Sequence, residues 1–385
     1  MVATLDLVQR SGRLKSALLE FSRQPRYARA FRDVLSAHNL NATAPRKDQL
    51  VHALDFFVLQ HRLGNGQTIV EQFVAARRDL PQAEREMLLG WRDVVEGVFE
   101  VAGHDGGALV VENLVDDLTY RVRSNMGSQV LGSLRPGSFV LARVVPVGEE
   151  WLVSGATHPI AKSQRDAVYT AAADLAMRQP KLAFRNPDKL ERAWELQRAD
   201  RARFVSFFGT DMIVIPGAEL AGRMREYYQF SRREVLAELS ASGVASRYAD
   251  RPLAFTDWPV ALEESEVIGV IYDQTEGLSF FGGFKDFEEA FTDPSLIGQH
   301  RYRRRVNEYL DDDSVSPLPF RRLSERDPGR VSAVLGKVLG RRDFNWHRDG
   351  EKLMRQRKPW FFEQAPLPRV LPISERLGPY VGAAS

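Results

Sequence analysis

Between Trp91 and Gly155 the chain breaks into five short apolar segments separated by Gly, Pro, Asn and Asp, whereas the lengths on either side carry helical spacing. The segments are Val98–Val101, Ala108–Leu114, Leu118–Arg123, Ser138–Val147 and Trp151–Ser154, rich in the Val, Leu, Phe and Tyr that suit a half-buried pleated surface. Gly103-His104-Asp105-Gly106-Gly107 offers the positive φ that a tight hairpin needs. Pro136-Gly137 fits the central positions of a type II turn, Pro fixing the first φ and Gly accepting a positive second one. Alternation in Leu118–Arg123 puts Leu118, Tyr120 and Val122 on one face and Thr119, Arg121 and Arg123 on the other. Phe139 to Val147 is apolar except for Arg143, as in a strand covered on both sides. Five antiparallel strands in about 60 residues match a small SH3-like or OB-type β-barrel, which closes to remove its edges.

That barrel, over residues 93–160, predicts an α+β chain of three parts. Residues 1–92 read as a helical bundle. In it Pro25 opens a helix carrying Tyr27, Phe31 and Val34 on one face, Leu50, Leu54, Phe57 and Val58 align on the next, and Thr68 with Glu71 forms a capping box. Residues 161–385 read as an α+β domain with a Pro-rich tail after Pro359. Its helices fall at 187–203, 299–310, 327–339 and 348–357, with a hairpin at Val267–Asp273 and Leu278–Phe281. The strand-turn-helix stretch Phe207 to Gly217 places a helix start where an anion can be held by free N–H groups, although Pro216 removes one donor.

Leu54-Asp55-Phe56-Phe57 to Gly66-Gln67-Thr68, Gly97-Val98-Phe99-Glu100-Val101, Leu134-Arg135-Pro136-Gly137-Ser138 and Trp151-Leu152-Val153-Ser154-Gly155 together resemble a group of bacterial proteins labelled by a C-terminal SEC-C motif. That motif is a short Cys-rich zinc-binding element, and this chain contains no cysteine. The resemblance covers residues 50–160 and implies a fold without a zinc site or an activity.

Absence of cysteine removes disulfides and thiolate metal sites and points to a cytoplasmic setting, while no apolar run approaches the roughly 18 residues of a membrane span. No cofactor or metal is expected. Gly336-Lys337 fails as a P-loop because Gly329 lies too far upstream and Val338 follows the lysine. No Gly-x-Ser-x-Gly elbow occurs, and none of the seven histidines stands in a His-Glu-x-x-His pattern. His52 and Asp55 lie one helical turn apart, a spacing that suits a surface pair. Asp311-Asp312-Asp313 lacks the alternate spacing of a calcium loop and reads as a solvated helix end.

Net charge is only +2, but its distribution is uneven. Residues 263–293 hold nine acidic groups against Lys285 alone, and residues 301–358 hold sixteen basic groups against nine acidic ones. Either the blocks neutralise each other or the basic one faces an anionic partner. Arg301, Arg304 and Arg305 share a helix face beside Tyr302, and Arg341, Arg342 and Arg348 surround Phe344 and Trp346. Guanidinium forks interleaved with rings are the material of RNA-binding surfaces. Arg121 and Arg123 supply a second contact if the barrel leaves them open. The expectation is a non-catalytic protein that binds RNA or a ribonucleoprotein such as the ribosome. The alternative is a protein-interaction or regulatory scaffold, and a third reading is an enzyme whose site is assembled from residues distant in sequence.

Overall fold

The computed structural model describes residues 2–40, 46–127, 129–241, 259–363 and 365–381. Five helices come first: α1 (Val2–Ser22), α2 (Ala28–Ala37), α3 (Lys47–Leu59), α4 (Ile69–Ala76) and α5 (Gln82–Gly90). At the start of α4 the Thr68 hydroxyl accepts the Glu71 N–H while the Glu71 carboxylate accepts the Thr68 N–H at 2.7 Å, so the capping box forms as its residues predict. The helices' apolar stripes meet around Leu18, Phe57, Val58, Phe73 and Leu88, and Val145, Val147 and Leu152 of the following sheet enter the same core.

The sheet comprises β1 (Val95–Asp105), β2 (Ala108–Asn113), β3 (Thr119–Arg123), β4 (Phe139–Val147) and β5 (Glu150–Ile160), with the one-turn helix α6 (Gln129–Gly132) between β3 and β4. These strands close on themselves in the order β1-β2-β3-β5-β4, around Phe99, Val111, Tyr120, Val122 and Val144. Gly106 and Gly107 turn β1 into β2 with φ of 55° and 79°. Gly137, at φ 78°, completes a turn in which the Ser138 N–H reaches the Arg135 carbonyl at 3.0 Å. The all-antiparallel expectation is corrected. β3 and β5 run parallel, pairing Val122 with Trp151 and Arg123 with Leu152. An odd number of strands cannot alternate in direction all the way around a closed ring, so one pair must be parallel.

The chain forms two compact units, 1–190 with 373–385, and 191–372. This differs from a boundary at residue 160. Helix α7 (Arg165–Arg178) buries Val168, Tyr169, Ala172 and Ala173 against Phe139 of β4 and Leu114 just past β2, and Leu377 of the C-terminal segment joins that cluster. The division falls within α8 (Pro187–Phe208).

In the second unit β6 (Met212–Pro216) is followed by α9 (Leu220–Ala241), α10 (Val260–Glu263), β7 (Val267–Asp273) and β8 (Gly277–Gly282), and the strands form an antiparallel sheet in the order β6-β7-β8. α11 (Phe284–Thr292), α12 (His300–Asp311), α13 (Leu318–Arg326), α14 (Pro328–Leu339), α15 (Trp346–Arg357) and α16 (Pro359–Glu363) complete it. β7 is buried on both faces. Ile268, Val270 and Tyr272 meet Phe204, Met224 and Tyr227, whereas Ile271 faces a core with Phe284, Phe287 and Tyr309. Gly269 is required there, because a Cβ would lie 2.4 Å from the Phe284 ring. Among the described residues no helix is long and apolar enough to cross a membrane.

Candidate functional site

The eight arginines singled out from the sequence mostly meet carboxylates of their own unit. Arg301 forks onto Asp286 at 2.5 and 2.7 Å, with Glu266 at 3.5 Å. Arg304 and Arg305 share Glu308 at 3.3 and 2.7 Å. Arg341 and Arg348 share Asp349 at 3.6 and 2.8 Å. Arg342 is exposed and has no ion pair among the described residues. The acidic block answers the basic one. Asp273 pairs with Arg322 at 3.0 Å, Glu276 with Arg321 at 3.4 Å, Glu288 with Arg326 at 2.9 Å, and Glu289 accepts from the Tyr302 hydroxyl at 2.9 Å. Phe344 is buried and Trp346 packs on the same core, so both rings anchor helices, while Trp360 is 41% exposed.

Two other sequence candidates change character. Gly217 donates its N–H to the Ser265 carbonyl at 3.1 Å, and the carbonyl oxygens of Ser265, Glu263 and Leu262 crowd its Cα, which makes the start of that helix a cluster of acceptors hostile to an anion. At Asp311–Asp313 the fully buried Lys358 donates to the Asp312 carbonyl at 2.7 Å, and Arg357 reaches Asp311 at 2.7 Å. Burial pushes the Lys358 amine down, against the pull of the neighbouring aspartates.

On the sheet of the first unit, Arg121 and Arg123 lie on the face of β3 opposite Tyr120 and Val122, but only Arg121 is partly exposed; Arg123 is buried at 8%, so the expectation that the barrel leaves both open is corrected. Both bond to Glu150, which lies just past the β4–β5 turn. Arg121 also meets Asp105, and Arg123 donates to the Gly106 carbonyl at 3.1 Å in the β1–β2 turn. The bonds from Arg123, then Arg121, hold the Glu150 carboxyl below the ordinary range despite burial. At the adjoining end of the barrel an open depression of about 440 Å³ is lined by Trp151, Tyr120, Thr119 and Arg185, whose guanidinium lies 5.5 Å over the Trp151 ring.

Sequence reasoning missed a buried polar cluster in the first unit. Asp55 of α3 is 3% exposed and pairs not with His52 but with Lys15 of α1 at 2.5 Å and Arg143 of β4 at 2.9 Å, while accepting from the Ser154 hydroxyl of β5 at 2.6 Å. Arg143 also bonds to Glu96 and to the Gln60 side chain at 2.6 Å. Burial pushes the Asp55 carboxyl up, but the charges of Lys15 and Arg143 outweigh it and hold the group below the usual range. Its partners stand 40, 88 and 99 positions away, so helical spacing carried no signal of them.

Cavities flank this cluster. One of about 330 Å³ is lined by His38, His52, His158, Asp48 and Glu96, with His52 and His158 each 3.8 Å from an acid. The other, about 420 Å³, has apolar walls with Lys15, Asp55 and Ser154 among its lining. Among the described residues no cluster of His, Asp or Glu is arranged to hold a metal ion. No protein-family model matches the sequence, and comparison with curated proteins and with solved structures found no match.

Proposed function

We propose that the barrel is of OB type and that the protein binds single-stranded RNA on it without catalysis. The observation that carries this reading is the strand order β1-β2-β3-β5-β4 with a helix between β3 and β4. That order sets Arg121 and Arg123 on the β2–β3 side, between the β1–β2 and β4–β5 turns, where OB folds take oligonucleotides. The part-exposed Trp151 ring offers a stacking surface nearby. The likeness of residues 50–160 to SEC-C-labelled proteins belongs to the same proposal. Arg301, Arg304, Arg305, Arg341, Arg342 and Arg348 form a second candidate surface, one most of whose charge is already answered internally. That pairing of the acidic and basic blocks favours the alternative reading of the second unit as a protein-interaction scaffold.

Glu150 competes with phosphate for both barrel arginines, which gives the proposal a sharp sign. Anisotropy titration of a labelled single-stranded RNA should show Glu150→Gln binding several-fold tighter and Arg121→Glu weaker. Arg121 keeps Asp105, so removing the one counter-charge should steepen the slope of log affinity against log salt by about 0.7. If neither variant moves affinity at either of two salt concentrations, the barrel is not the contact. Loss of binding only in a combined Arg301→Glu, Arg304→Glu, Arg305→Glu variant would transfer the interface to the second unit.

A further inference from the structure

Carboxylates answer most of the arginines described above, but a run at the corner between α1 and α2 is left unanswered. Arg23, Arg26, Arg29 and Arg32 fall within ten residues that contain no acidic group, in a chain whose net charge is only +2. All four are exposed, and their guanidinium groups make no ion pair or hydrogen bond among the described residues. Asp33 is the one acid of α2, and its charge acts on His61 just past α3. Glu20 near the end of α1 is exposed and pairs with none of the four.

The backbone gathers these side chains. Pro25 opens a 3₁₀ turn, Pro25–Tyr27, that leads directly into α2, so Arg26, Arg29 and Arg32 recur at every third residue along one helical path. Residues three apart are neighbours on such a surface, with Cβ atoms about 5–6 Å apart. Arg23 stands one step further back, in the turn where its N–H donates to the Glu20 carbonyl at 3.0 Å. Arg26 is also held in place. Its guanidinium lies 5.2 Å from the Phe21 ring and 4.6 Å from the ring of Tyr27, which is 3% exposed and tied through its hydroxyl to Gln72 at 2.7 Å. Ring contacts leave the N–H donors of a guanidinium unspent, and holding it beforehand lessens the entropy lost when those donors bind.

Cations spaced this closely repel one another, and an anion with repeated charges relieves the repulsion. The planar fork of arginine matches phosphate oxygens. A helix that lies on a membrane sets large apolar side chains beside its cations, whereas the exposed large apolar residues include none between Leu5 and Leu50. We propose that the α1–α2 corner is a further RNA contact, one that grips the phosphate backbone without regard to base sequence. It extends the RNA reading of the first unit and rests on that reading for the identity of the polyanion.

Anisotropy titration of the full chain with a labelled oligouridylate separates the two. The double variant Arg26→Gln, Arg29→Gln should bind about tenfold more weakly at low salt and lower the slope of log affinity against log salt by about 1.4, two phosphates at about 0.7 each. The double variant Arg178→Gln, Arg198→Gln removes the same charge from exposed arginines of α7 and α8 and should leave affinity almost unchanged, since distant surface charges are screened. Unfolding temperatures check that each variant is folded. If Arg121→Glu leaves binding intact while the corner variant weakens it, the barrel loses its role and the corner keeps its own. The reverse pattern overturns the corner contact. So do equal losses in the two double variants, a native chain that binds no oligouridylate, or a corner variant that loses binding to phosphatidylglycerol vesicles but not to RNA.

Discussion

Asp55 and Asp116 are both buried carboxylates of the first unit, and they respond to pH in opposite directions. Asp55 compensates two cations, so Asp55→Ala should cost about 3–5 kcal/mol in urea unfolding at neutral pH, the usual penalty of stranding buried charge. Because its folded pKa lies below the unfolded one, its contribution is complete above the unfolded Asp range and fades as pH falls through the lower folded value. Asp116 is 1% exposed and accepts from the Tyr120 hydroxyl at 2.7 Å and the Leu118 N–H at 2.8 Å. There burial outweighs those bonds and pushes the carboxyl up to about 6. The sign reverses: the folded state binds the proton more tightly, so this contribution is whole below about pH 4 and is lost as pH rises through 6, amounting to about 3 kcal/mol. Asp116→Asn should flatten stability between pH 4 and 6, measured by chemical unfolding at a series of pH values. An unchanged slope would refute the assignment. Neither role was legible from the sequence. Asp55 looked like a helix-surface partner of His52, whereas its partners lie on α1, β4 and β5.

At the scale of elements, local chemistry predicted best wherever a backbone conformation demanded a residue type. The capping box is one such case. Thr68 is 3% exposed, and Thr68→Ala should destabilise the first unit by about 1 kcal/mol in urea unfolding. The Gly106-Gly107 and Pro136-Gly137 turns and the facing of β3 were readable for the same reason, since each rests on neighbours in sequence. Strand ends were read too short. β1 extends back to Val95 and β5 forward to Ile160, because Glu96 and Gly97 in one and His158 and Pro159 in the other lack the apolar signal yet pair with β4. The parallel β3–β5 contact was invisible locally and follows only from closing five strands, which is a property of the whole ring.

Over the whole molecule, the sequence's charge blocks and its tail both resolve into contacts within units. The Pro-rich tail after Pro359 reads from the sequence as part of the 161–385 domain, but its last part belongs with the first unit. Tyr380 stacks on Tyr169 of α7 with centroids 5.3 Å apart and donates to Asp166 at 2.7 Å, and Arg376 pairs with Glu112 of β2 at 2.8 Å and Glu100 of β1 at 3.4 Å. Leu377, 1% exposed, fills the gap beside Phe139. With Ile373 and Val381 packed on the same core, the segment draws its strength from apolar contacts, since exposed ion pairs contribute little. Leu377→Ala should therefore cost the first unit about 2–4 kcal/mol, while Arg376→Ala should cost under about 1 kcal/mol. Hydrogen exchange should show where the loss lands. Ending the chain at Pro372 should lower protection in β1 and α7 and leave β6, β7 and β8 as they were. Equal losses in both units, or none in α7, would mean that the tail does not brace the barrel.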